Sequence, residues 1–165
     1  MVVDRVYLDN AAGLEFLPGA ADGLKMLYTH GYRLVVVTNQ SGVGRGLFSL
    51  ERLHEMNARL AEMVVEAGGR LEGIYFCPHA PEEQCACRKP APGLILQASR
   101  ELGFDPAEAV VIGDKDSDLE SGRRVGAMTV LIAADKPSVQ ARVKADAVAA
   151  DLVGAASAVL ALHQR

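Results

Sequence analysis

Short β-branched apolar runs alternate along the chain with stretches whose apolar residues recur at helical spacing. Val3–Leu8 reads as a strand. Behind Pro18-Gly19, the spacing of Leu24, Leu27 and Tyr28 predicts a helix over Ala20–Thr29 that Gly31 stops. Leu34–Val37 is continuously apolar, as in a strand buried on both faces of a parallel sheet. A glycine-rich turn follows at Ser41–Gly46, and Ser49 is placed to cap a long helix reaching Ala67, ended by Gly68-Gly69. Ile74–Phe76 predicts a strand, and the Cys/His-bearing segment after it predicts a loop. Pro92–Leu102 predicts a helix with Gly103 behind it, and Asp105-Pro106 a turn. Ala109–Ile112 predicts a strand, Ser117–Val125 a helix and Thr129–Ile132 a strand. Ala147–Ala149 is a last short strand, and Asp151 caps a terminal helix.

This alternation implies parallel pairing with right-handed crossovers, an open α/β, Rossmann-like sheet with helices on both faces. In such sheets ligands bind at the carboxyl ends of the strands. Asp9, Thr38-Asn39 and Gly113-Asp114 each fall just past a predicted strand. Their convergence locates a candidate site.

Composition narrows the class. The 165 residues suit a single domain spanning 1–165, and with 50% hydrophobic and 23% charged residues the chain has the balance of a globular protein. A net charge of −4 without a Lys/Arg run argues against nucleic acid as a partner. No basic region leads into an apolar stretch at the start, and the longest apolar candidate, Val153–Leu162, is too short to span a bilayer. The expectation is a cytoplasmic monomer that does not engage membranes.

Asp114, Asp116 and Asp118 crowd one turn before a helix. Alone they would be a solvated capping turn, and Asp9 alone a turn residue. Two acidic loops at strand ends of one sheet are costly unless a cation sits between them, and hard carboxylate oxygens suit Mg²⁺. Thr38 and Asn39 add a hydroxyl and an amide, and Arg88-Lys89 two cations. A metal, a lysine, a hydroxyl and a strand-end carboxylate are what phosphoryl transfer needs, with the carboxylate attacking phosphorus. Cys77, Cys85 and Cys87 with His79 read C-x-H-x₅-C-x-C. This is the donor set of a closed, structural Zn²⁺ site in a loop over 77–87, ending directly before Arg88 and Lys89. His30, His54 and His163 carry no comparable pattern.

Three segments carry a resemblance to the haloacid-dehalogenase (HAD) superfamily, in its branch of heptose-bisphosphate and histidinol-phosphate phosphatases. They are Val35–Gly42 (VVVTNQSG), Cys85–Gly93 (CACRKPAPG) and Val111–Asp118 (VIGDKDSD). The resemblance covers nearly the whole chain and implies no large cap domain. It makes Asp9 the nucleophile and a Mg²⁺ ligand, Asp114 a second Mg²⁺ carboxylate, and Lys89 the phosphoryl-stabilising lysine. Asp118 supports Asp114 or Lys89. Thr38, Asn39, Arg88 and Lys115 become phosphate or substrate contacts, and Cys77, His79, Cys85 and Cys87 the zinc ligands.

The first motif departs from the family's Asp-x-Asp-Gly-Thr, since this chain reads Asp9-Asn10-Ala11-Ala12-Gly13. Ala11 stands where the second aspartate serves as general acid and base, a role worth ~10²–10⁴-fold in rate. Its backbone carbonyl is still a candidate Mg²⁺ ligand. The segment after Gly13 is also shorter than the family's flap. Two functions follow: a Mg²⁺-dependent phosphatase for a small sugar bisphosphate, of the D-glycero-D-manno-heptose 1,7-bisphosphate kind or for histidinol phosphate, or an impaired relative that binds a phosphorylated ligand or partner without turnover. A third, other chemistry using a cap-borne lysine, has no cap to draw on.

Overall fold

The computed structural model describes residues 13–133 and 145–163. The predicted strand at Val3–Leu8, Asp9 and Ala11 lie outside the described residues. Within them five strands are found, β1 (Leu34–Asn39), β2 (Leu71–Cys77), β3 (Val110–Gly113), β4 (Met128–Ile132) and β5 (Ala147–Ala149). The helices are α1 (Ala20–Thr29), α2 (Ser41–Gly44), α3 (Leu50–Glu66), α4 (Gly93–Leu102), α5 (Asp116–Arg123) and α6 (Leu152–His163).

All observed pairings are parallel. β1 pairs with β2, bringing Asn39 opposite Cys77, and β3–β4–β5 form a second group with Gly113 opposite Leu131. Alternate strand residues face opposite helical layers, as side-chain period two requires. Leu34 and Val130 pack with Leu27 of α1 and Ala155, Ala156 and Val159 of α6, and Val110 and Ile112 join them. Val64 of α3 lies on the Leu34 side. On the opposite face, Val35 and Val37 pack with Tyr75, Leu94 and Ala98 beneath α4, and Leu131 packs with Leu119 of α5. The expected layering of helices on both faces is therefore present.

Most boundaries follow local chemistry. The Ser49 Oγ accepts from the Arg52 amide at 3.2 Å, and the Asp151 carboxylate from the Gly154 amide at 2.8 Å, so both expected caps are formed. Asp105 accepts from the Ala107 amide at 2.9 Å and starts a 3₁₀ turn over Pro106–Glu108.

Two expectations need correction. The Ser41–Gly46 turn contains one helical turn, α2, because close packing organises it. A Cβ on Gly44 would stand 2.7 Å from the Pro78 carbonyl oxygen and the Ala80 nitrogen, and one on Gly42 would strike Phe48. Cys77 was expected in the loop, but it is the fully buried last residue of β2. Pairing with Asn39 carries the strand that far.

Helices α1 and α6 meet at Gly23, where a Cβ would lie 2.6–2.7 Å from the Leu152 backbone. Gly23→Ala is expected to force them apart and lower unfolding free energy by about 1–3 kcal/mol, read as a shifted midpoint in urea.

Candidate active site

The ends of β1 and β3 and the segment leading into α4 meet in one cleft. Thr38, Asn39, Arg88, Lys89, Asp114, Lys115 and Asp118 all line it. Of the residues picked from sequence for the Mg²⁺ and phosphate site, the structure therefore brings together all but Asp9 and Ala11, which lie outside the described residues.

Lys89 is the most constrained member. Its Nζ donates to the Val37 carbonyl at 2.8 Å and lies 2.6 Å from Asp118 Oδ1, with the side chains only 15% and 9% exposed. An ammonium has three N–H donors, so one is left over after these two contacts. The backbone of the same residue is held as firmly. Its N–H donates to Asn39 Oδ1 at 3.0 Å, and its carbonyl accepts from Asn39 Nδ2 at 3.1 Å. The Lys89-Pro90 peptide is cis.

Asp118 reaches Lys89 because α5 begins directly behind β3. Its other oxygen, Oδ2, accepts from the Lys115 amide at 3.1 Å, which closes the first turn of α5. A Cβ on Gly113 would strike Asp118, so glycine is what lets the helix start this close to the strand. Between the two roles left open from sequence, the contacts make Asp118 a partner of Lys89. The Asp114 carboxylate is exposed at the mouth of the cleft, with no hydrogen bond or ion pair among the described residues. Gln40 Nε2 donates to the Thr38 hydroxyl oxygen at 3.3 Å. That arrangement leaves the Thr38 proton available to an anion.

Beside the cleft, the Cys77, Cys85 and Cys87 sulfurs and the His79 Nδ1 atom lie within 4.8 Å of one another. Neighbouring donors are 3.3–3.5 Å apart. A tetrahedral zinc centre spaces sulfur and nitrogen ligands by roughly 3.5–3.8 Å, so the set is slightly contracted but of the right shape. Burial pushes the Cys77 thiol up. Burial and the adjacent Cys77 and Cys85 sulfurs push Cys87 up to about 12. Burial also opposes ionisation of Cys85, but hydrogen bonds from Cys87 and Cys77 and from the Arg88 and Cys87 amides outweigh it and bring Cys85 down to about 7. A charged Cys85 thus opposes ionisation of Cys77 and Cys87, and a divalent cation would relieve that conflict. This donor set fits zinc.

The Cys/His loop is tied to the cleft by ordinary hydrogen bonds. The Arg88 guanidinium donates to the His79 carbonyl at 3.3 Å, the Gly44 amide to Pro78 at 2.8 Å and the Gln40 amide to Cys77 at 2.8 Å. Sequence reasoning missed Gln40 as an orienting group and the Val37 carbonyl as an anchor for Lys89. Gln40 was within reach as the residue following Thr38-Asn39, whereas a backbone carbonyl leaves no signal in sequence.

Comparison with known proteins adds the following. The family model described as HAD-hydrolase-like matches residues 86–158. The D-glycero-β-D-manno-heptose-1,7-bisphosphate 7-phosphatase of Helicobacter pylori is 42% identical over 136 residues, covering 82% of this chain and 78% of the relative. The protein of the same name from Haemophilus influenzae is 40% identical over 144 residues, covering 82% and 77%. The crystal structure of the D,D-heptose 1,7-bisphosphate phosphatase from B. bronchiseptica, complexed with magnesium and phosphate, superposes with a TM-score of 0.82 at 27% identity, covering 94% of this chain and 89% of that one.

Removing one partner of a buried ion pair typically costs about 3–5 kcal/mol, because the other charge is stranded. Asp118→Asn is expected to destabilise the fold on that scale. The double variant Lys89→Met/Asp118→Leu should recover part of the loss in chemical denaturation.

Proposed function

The chain belongs to the HAD superfamily, in its branch of heptose-bisphosphate phosphatases, and from that premise we propose that it hydrolyses the 7-phosphate of a D-glycero-D-manno-heptose 1,7-bisphosphate or a closely similar sugar bisphosphate. The observation that carries this reading is the Lys89 ammonium, held by Val37 and Asp118 with one donor directed to no described residue. Such a group neutralises a phosphoryl oxygen without having to reorganise.

The remaining roles follow from placement in the cleft. The Thr38 hydroxyl donates to a second phosphoryl oxygen while Gln40 occupies its acceptor side. Asp114, exposed and with its carboxylate unengaged among the described residues, is the described residue suited to Mg²⁺, with Asp9 and the Ala11 carbonyl as the further ligands. A Mg²⁺ bound there supplies positive charge to the phosphoryl oxygens. Arg88, anchored on His79, and Lys115 address the sugar and its second phosphate. Asp9 is assigned as the attacking carboxylate. It bonds to phosphorus as the ester P–O bond breaks, and the leaving alkoxide takes a proton from water, which becomes hydroxide. Attack of that hydroxide on phosphorus then breaks the bond to the Asp9 oxygen, releasing inorganic phosphate and restoring the carboxylate. Zn²⁺ on Cys77, His79, Cys85 and Cys87 is structural, since four protein donors leave no open position.

Ala11 favours one further reading, in which the cleft binds a phosphorylated ligand without turnover. The test is Mg²⁺-dependent phosphate release from heptose 1,7-bisphosphate and histidinol phosphate, for the natural sequence, Asp9→Asn and Ala11→Asp. Turnover by the natural sequence that Asp9→Asn abolishes supports the phosphatase and its nucleophile. Turnover that survives Asp9→Asn moves the nucleophile elsewhere. Silence with a gain in Ala11→Asp, on the scale of ~10²–10⁴-fold, identifies a scaffold disabled at the general acid. Silence from both, with phosphate still bound, favours the binding role.

Zinc is tested separately. Purified protein is expected to hold about one zinc per chain, and a strong chelator should lower the melting temperature. A metal content far below that removes the zinc assignment.

A further inference from the structure

Asn39 is expected from sequence, with Thr38, to touch phosphate or substrate. Its carboxamide meets the Lys89 main chain, and we propose that Asn39 is a positioning residue that fixes the lysine acting on the phosphoryl group. Its carboxamide has one acceptor oxygen and two N–H donors. The oxygen is engaged by the Lys89 amide at 3.0 Å, and one N–H by the Lys89 carbonyl at 3.1 Å. The side chain thus holds both polar atoms of a single backbone unit fifty residues away.

The hold is effective because both ends are anchored. Asn39 closes β1 and is in parallel register with Cys77, so its backbone is set by the sheet. Two residues earlier on the same strand, the Val37 carbonyl accepts from Lys89 Nζ at 2.8 Å. One strand end therefore grips Lys89 at its main chain and at its ammonium. Asp118 takes the ammonium from the other side at 2.6 Å. With main chain and head group both fixed, the side chain between them has little freedom, and the remaining N–H keeps one direction. Without Asn39 the Lys89 main chain loses two hydrogen bonds, and no other hydrogen bond to its N–H or carbonyl is seen among the described residues.

This inference rests on reading the cleft as a phosphate site, and its test separates the two. Affinity for inorganic phosphate with Mg²⁺ is measured by calorimetry for the natural sequence, Asn39→Ala, Lys89→Met and the double variant. Asn39→Ala should weaken binding about tenfold, and should add nothing once Lys89 is methionine. Additive losses would mean that Asn39 meets the anion itself, and unchanged affinity in Asn39→Ala would mean that it does not position Lys89. Either result overturns the proposal.

The second readout needs no ligand. In ¹⁵N spectra of lysine ammonium groups, the Lys89 signal is identified by its loss in Lys89→Met. It should broaden or shift in Asn39→Ala, and also in Asn39→Asp, which keeps the side chain's shape should the alanine variant fail to fold. An unmoved signal in a folded variant overturns the proposal. If the natural sequence binds no phosphate, the phosphate-site reading fails and this spectrum still decides the role of Asn39.

Discussion

The arrangement of the cleft depends on keeping one ammonium group charged in a place largely closed to water. Lys89 is 15% exposed at its side chain, and a cation there is tolerable only if its N–H groups are engaged and its charge is matched. The match comes from Asp118 on α5, and a second acceptor from the Val37 carbonyl on β1. Those partners sit on two different strand groups. The ion pair therefore ties the β1–β2 end of the cleft to the β3–β4–β5 end, and a stability requirement also fixes the geometry of the site. Gly113 belongs to the same constraint, because any side chain there would displace Asp118.

The Cys/His cluster solves a different problem. The loop between β2 and α4 carries Pro81, Glu82, Glu83 and exposed polar positions, and contributes little to the apolar core beyond its cysteines. Such a segment has little burial with which to offset the entropy of ordering. Three of its side chains, His79, Cys85 and Cys87, meet Cys77 at the end of β2, and one ion shared by the four would order the loop directly. The order then reaches the cleft over short covalent and hydrogen-bonded paths: Cys87 adjoins Arg88, His79 receives the Arg88 guanidinium, and Gly44 packs on Pro78. Soft sulfur donors here and the hard carboxylate oxygens of Asp114 suit different cations by ligand chemistry.

Much of this was legible in the sequence, because the elements are locally determined. Helix α1 begins and ends where its apolar spacing and Gly31 say it should, Ser49 and Asp151 cap as their positions predict, and Asp105 starts the expected turn. The cysteine spacing found the metal-capable cluster without knowledge of the fold. Long-range contacts and pairing were not legible. Strand β2 runs three residues earlier and one later than its apolar run because β1 offers a partner along that length. The glycine-rich segment takes up a helical turn because the Cys/His loop packs against it. Asn39 reads as a ligand contact because an amide at a strand end commonly is one, and only the position of Lys89 shows that its amide also meets that residue's main chain.

The described residues of the cleft carry the charges and donors for electrostatic grip, and that bears on what Ala11 means. In the proposed reading, Lys89 and Thr38, with a cation on Asp114, would hold a phosphoryl group in substrate, in transition state and in released phosphate alike. Grip that is equal in all of these tightens binding without raising the rate of the chemical step. Rate comes from whatever distinguishes the transition state: charge moving onto equatorial oxygens toward a fixed Lys89 N–H, and a proton arriving at the leaving oxygen. The first is what the proposed reading assigns to Lys89 as held by Val37, Asn39 and Asp118. The second is what the family assigns to the residue where this chain has Ala11. Binding and turnover are therefore separable properties here. A chain with a rigid clamp and no proton donor would hold phosphate well and release product slowly, which is why affinity for phosphate alone is no measure of this protein's activity.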